Sequence, residues 1–185
     1  VIFSDRHNNS SIVDGCTLSK AKVVVYRHRD YAHLEELLLR HRKSHNGAAI
    51  ITDGVFSAHG AVANVDRVVA LARRHRCLSI VDDSHGIGVV GSRGRGVVDL
   101  FSERPDVVTG GFGKAFGSFG GYAVTSRELA TAIDVNGRQS VNTTHISPIL
   151  AAQTLYNMRY YREHLDAIQE ELLGKGRLFN KLLAA

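Results

Sequence analysis

Cysteine is scarce in this 185-residue chain: Cys16 and Cys77 are its two, and they show no CxxC or metal-type spacing. A chain this long can bury a core without covalent support, so the scarcity excludes a disulfide scaffold and points to a reducing cytosol. Proline is as rare, at two residues, and no proline-rich linker, low-complexity tract or internal repeat divides the sequence. It therefore reads as one structural unit. No apolar run approaches the roughly 20 residues that cross a bilayer, so a membrane is not expected as a partner. The opening Val1-Ile2-Phe3-Ser4-Asp5 is neither a basic signal segment nor a methionine start, which leads us to expect a chain that begins inside a larger protein.

What is present is ordinary for a globular domain, with 44% hydrophobic and 22% charged residues. The net charge is +5, with ten histidines besides. The basic residues are scattered through helical patterns, as in Arg40, Arg42, Lys43 and Arg73, Arg74, Arg76, without the aromatic or motif context of a nucleic-acid patch. A solvated face is expected there, and no nucleic-acid partner.

Short β-branched or apolar runs at 1–3, 23–26, 48–52, 78–82, 107–109 and 122–125 suit strands buried on both faces. Between them lie amphipathic patterns. Residues 31–42 place Leu34, Leu37 and Leu38 on one stripe, and residues 64–76 open on Asn64 as N-cap with Val65, Val68, Val69 and Ala72 inward. Ser147-Pro148 is a cap followed by proline at the first helical position, opening a long helix from Ile149 toward Leu183. The alternation predicts an α/β fold with a mainly parallel sheet flanked by helices. Ligands of such sheets sit beyond the carboxyl ends of the strands, where Asp53, Asp82 and Thr109 fall.

Two short motifs mislead. Gly86-Ile87-Gly88-Val89-Val90-Gly91 matches GxGxxG, but Asp83, Ser84 and His85 separate it from the strand and the glycine-rich 91–96 cannot open a stable helix. Gly113-Lys114 resembles a phosphate loop, yet Ala115 and Val108 stand where that pattern needs Ser or Thr and a glycine.

The chemistry is expected around one lysine. Thr109-Gly110-Gly111-Phe112-Gly113-Lys114-Ala115-Phe116-Gly117 sets Lys114 among glycines and apolar residues, and a lysine amine becomes a nucleophile when its surroundings disfavour the ammonium. Asp82 closes an apolar strand, where a carboxylate either caps the next turn with Asp83 or faces a cation. A strand-end aspartate followed by a lysine in a glycine-rich loop is what pyridoxal 5'-phosphate (PLP) requires: an amine for its aldehyde and a carboxylate for its pyridinium. His85, just past Asp82, could hydrogen-bond the cofactor or a substrate carbonyl.

With these residues in place, the sequence resembles the α-oxoamine synthases, PLP enzymes of aminotransferase fold type I. The similarity rests on Asp82-Asp83-Ser84-His85-Gly86, Gly91-x-x-Gly94-Arg95-Gly96, Gly113-Lys114-Ala115-Phe116-Gly117 and Gly120-Gly121-Tyr122, preceded by Asn8 to Gly15, His28-Arg29-Asp30 and Thr52 to Ser57 in the family's order. The resemblance implies that residues 1–148 are the central part of the PLP-binding large domain and that 149–185 lead toward a small C-terminal domain. It implies a Schiff base on Lys114, which also acts as acid and base at the substrate α-carbon, with Asp82 on the pyridinium and Ser57 and His85 on the phenolate side. Thr144 is implied to reach the cofactor phosphate of the other subunit, hence a homodimer. The implied reaction joins an amino acid to an acyl-CoA; another fold type I activity, aminotransferase or lyase, and a non-catalytic dimerisation module are the alternatives. Asn9 stands where the family has a ring-stacking histidine, Gly111 where it has a threonine, and Ala58-His59-Gly60 where it commonly has Met-Asp-Gly.

Overall fold

The computed structural model describes residues 1–137 and 143–184. Six strands form one sheet: β1 (Ile2–Asp5), β2 (Val23–Tyr26), β3 (Ala49–Asp53), β4 (Leu78–Asp82), β5 (Val107–Gly111) and β6 (Gly121–Thr125), in the order β2-β1-β3-β4-β5-β6. The first five run parallel and β6 pairs antiparallel with β5. The helices are α1 (Ser10–Leu18), α2 (Tyr31–His41), α3 (Val65–Arg74), α4 (Arg127–Asn136) and α5 (Pro148–Leu183).

Parallel neighbours need long crossovers, and α1, α2 and α3 supply the first three. The β4–β5 connection is different, crossing through two short 3-10 turns at Ser92–Gly94 and Val97–Leu100. Because β6 returns antiparallel, β5 and β6 can be joined by the nine-residue loop 112–120, and Lys114 lies in it.

Phe3, Tyr26, Leu34, Leu38, Ile50, Val68 and Ala72 pack into the main core, so the predicted inward stripes of α2 and α3 are the ones buried. A second cluster joins Val65, Val69, Val81 and Val97. Asn64 caps α3 as expected, its side chain accepting from the Arg67 N–H. Ser147 holds the cap position before Pro148 without a side-chain cap bond.

Burial on both faces is fullest in β1 and β3, lapses at Leu78 of β4 and fails at the edges. In β2 Val23 and Val25 are exposed, and in β6 Val124 is too. Helices α1 and α4 add to the elements expected from periodicity. The first opens on serines after Asn9, whose side chain accepts from the Ser11 N–H as an N-cap.

Candidate active site

Three carboxylates line up at the carboxyl ends of adjacent strands: Asp5 on β1, Asp53 on β3 and Asp82 on β4, the last two in register. Each is held differently. Asp82 accepts the Thr109 hydroxyl at 2.6 Å on Oδ2 and the Ser84 N–H at 3.1 Å on Oδ1. It thus caps its own turn while being fixed from the neighbouring strand. Asp53 accepts the Asn9 N–H at 2.7 Å on Oδ2, and its Oδ1 is buried without a partner. Burial pushes Asp53 up to about 6, opposed by the Asn9 bond and the Lys114 charge and assisted by Asp82 and Asp5. Asn8 ties β1 to β3 beneath this row, donating to Ser4 Oγ and Ile51 O and accepting from the Asp53 N–H.

His85 and Lys114 meet in one cavity of about 480 Å³, whose lining also includes Ser84, Gly88 and, from α5, Tyr161 and Leu172. His85 is half-buried with Nδ1 enclosed and unpartnered. Burial lowers its pKa, the Lys114 charge lowers it further and Asp82 works the other way, so the neutral ring is favoured. Lys114 itself is exposed. Its loop is braced by the Phe112 N–H to Gly120 O bond and the Ser118 N–H to Phe112 O bond, both 2.9 Å.

The other candidates sit apart from this cavity. Ser57 is exposed in the turn after β3, and Thr144 is exposed in the segment leading into α5; neither lines it. Asn142, the start of the stretch containing Thr144, lies outside the described residues. Thr109 stands close in sequence to the missing threonine at Gly111, but its hydroxyl is committed to Asp82. A larger cavity, about 940 Å³, is lined by residues of β5, β6 and α4 and contains none of the candidate residues.

Two features around the site come from tertiary packing rather than from a local motif. Asp83, adjacent to the candidate carboxylate, is buried, and its Oδ2 accepts the Val97 N–H at 2.9 Å. The α5 residues in the cavity wall carry no motif; only long-range packing brings them there.

A mainly parallel six-stranded sheet with its polar residues at the strand ends, and an antiparallel return carrying a lysine, define an α/β protein of PLP fold type I. The chain belongs to the aminotransferase class I and II family, which matches residues 1–185. Within it, the chain is 42% identical to an 8-amino-7-oxononanoate synthase of Coprothermobacter proteolyticus, covering 89% of this chain and 47% of that protein. The solved 8-amino-7-oxononanoate synthase of Francisella tularensis superposes with a TM-score of 0.71 at 28% identity, over 86% of this chain and 46% of that one. A serine palmitoyltransferase from S. paucimobilis with bound PLP-myriocin aldimine gives 0.80 at 26% identity, over 97% and 45%. The α-oxoamine synthase resemblance carried by the motifs is borne out by these relatives. The chain spans about half the length of the curated relatives it matches.

Proposed function

We propose that this chain is the cofactor-holding part of a PLP-dependent α-oxoamine synthase, which joins an amino acid to the acyl group of an acyl-CoA. The observation that carries the reading is the convergence of His85 and Lys114 on one cavity, next to a strand-end Asp82 whose two oxygens are both held. The donor set fits PLP: a primary amine for the aldehyde, a carboxylate for the pyridine nitrogen, and a buried imidazole nitrogen awaiting a partner.

When bound, PLP supplies an electron sink for negative charge developed at a substrate α-carbon. Lys114 is the residue that would bind the aldehyde, and its amine would take and return the proton at that carbon. Asp82, oriented by Thr109 and Ser84, holds a proton at the pyridine nitrogen by keeping a negative charge beside it. His85, kept neutral by burial and by Lys114, offers a hydrogen bond rather than a charge to an oxygen of cofactor or substrate. Ser57 is assigned to the phenolate side, and Thr144 to the cofactor phosphate across a homodimer.

In the full-length protein, added PLP is expected to give the visible absorbance of a lysine-bound cofactor. Lys114→Ala should abolish that band and lower turnover by about 10²–10⁴-fold or more as a proton-transfer group is lost. Coenzyme A release that depends on an amino acid supports the synthase, whereas keto-acid-dependent amino transfer assigns the site to an aminotransferase. No band in the full-length protein defeats the PLP reading altogether.

A further inference from the structure

Beyond the row of carboxylates, the carboxyl ends of the strands carry a second cluster. His7 follows β1, His28 follows β2 and His59 lies in the turn after β3, and one ring nitrogen from each falls within 4.8 Å of the others. Strands β1 and β3 flank the point where the strand order reverses, which is where open α/β sheets present a ligand crevice. None of these histidines lines the Lys114 cavity. We propose that His7, His28 and His59 form a site for one divalent transition-metal ion of the kind imidazole favours, with Zn²⁺ as its reference occupant.

The distances favour this. His7 Nδ1 and His59 Nε2 lie 3.1 Å apart. Two nitrogens on a tetrahedral Zn²⁺, each at ~2.0–2.1 Å, are separated by about 3.3 Å, so the spacing of this pair suits a shared ion once the rings turn their lone pairs toward it. His28 has the support a metal-bound histidine ordinarily has: its Nδ1 is 2.9 Å from Asp5 Oδ1, which leaves Nε2 as the free ligand atom. Asp5 is well placed for that task. Its side chain is 1% exposed, and it also accepts the His7 N–H at 2.8 Å and the Arg29 N–H at 2.9 Å.

The competing arrangement is a purely aromatic, hydrogen-bonded cluster. His7 stacks on His28 with centroids 4.3 Å apart, and His28 meets the Phe56 ring edge-on at 4.4 Å. In that arrangement one proton is shared between His7 and His59, and the Ala61 N–H approaches His59 Nδ1 at 3.4 Å. An ion replaces that proton and requires the stacked pair to splay. His7 and His59 are exposed and can turn, while His28 is anchored by Asp5. Their exposure also leaves a fourth coordination position open to water or an anionic ligand. His59 is the deciding residue, because its Nε2 is the atom that pairs with His7 Nδ1.

The test is calorimetric titration of tag-free, PLP-saturated full-length protein with Zn²⁺, with Co²⁺ as a coloured substitute that reports coordination geometry. One ion per chain with a tetrahedral Co²⁺ spectrum is expected. His7→Gln and His59→Gln, both at exposed positions, should each weaken binding at least about ten-fold without changing the circular dichroism. Lys114→Ala should leave metal binding intact, which keeps this site separable from the PLP reading. No saturable binding, or binding that His59→Gln leaves unchanged, overturns the site.

Discussion

Asp83 explains two glycines, Gly86 at the head of the sequence that imitates a dinucleotide motif and Gly96 beyond it. A Cβ at Gly86 would sit 2.0 Å from Asp83 Oδ1, and one at Gly96 would sit 1.9 Å from Oδ2, with Gly96 also at φ +91°. Both glycines therefore exist to admit a buried carboxylate that pins the returning loop through Val97. Burial pushes Asp83 up to about 7 from an ordinary 3.8, with the Val97 bond opposing and the Asp82 charge assisting. Between about pH 4 and 7 the folded chain thus binds a proton that the unfolded chain has released, and stability from this group falls as pH rises through that window. Asp53, pushed up to about 6, adds a loss of the same sign. Asp83→Asn keeps an acceptor for Val97 and cannot ionise. Its cost, measured from urea unfolding, should be smaller at about pH 8 than at about pH 5 by roughly 2–3 kcal/mol. An equal cost at both values would show that Asp83 is ionised throughout.

At the scale of the element, Asn9 shows how a cap competes with a cofactor contact. Its side-chain oxygen accepts from the Ser11 N–H at 3.1 Å and opens α1, while its backbone N–H holds Asp53. Asparagine is among the best N-caps, so Asn9 strengthens a helix at the position where the α-oxoamine synthase resemblance implies a ring-stacking histidine. Asn9→His should lower apo stability by about 1 kcal/mol and tighten PLP binding, read by thermal unfolding and by titration of the visible band. Unchanged or weaker PLP binding would place Asn9 outside the cofactor stack. The same helix marks a limit of legibility. Residues 10–18 carry Gly15 and only two buried side chains, Ile12 and Cys16, so their apolar period is faint and the cap is the readable sign. In α2 and α3, by contrast, each buried stripe is fully apolar and the boundaries agree with expectation to within two residues. Asp82, His85 and Lys114 were legible because strand ends and glycine-rich loops carry local signals. The Thr109 bond to Asp82, the burial of Asp83 and the cavity wall from α5 were not, since each depends on which strand or helix lies alongside.

At the scale of the molecule, the apolar surface is unevenly covered. No helix among the described residues is long and apolar enough to cross a membrane. Helix α5 bends at His164, where φ is −111°. It is tied to the body by the Asn157 bond to Phe116 O, the Gln169 bond to Val89 O and the Arg93–Asp166 ion pair. Beyond these ties Leu178, Phe179, Leu182 and Leu183 are 58–72% exposed, at spacings that place them along one side of the helix. Burying what is exposed of each would contribute about 1–2 kcal/mol, roughly 8–16 kcal/mol for the four from each of two copies. Association costs an estimated 4–15 kcal/mol before any contact is made, so the balance is near zero and concentration decides the outcome. The 185-residue chain alone is therefore expected to self-associate reversibly. Light scattering should give an apparent mass that rises above 20.2 kDa with concentration, and Phe179→Glu combined with Leu183→Glu should return it to that value. A chain that stays monomeric at every concentration would mean that this apolar side folds back onto the sheet instead of meeting a second copy.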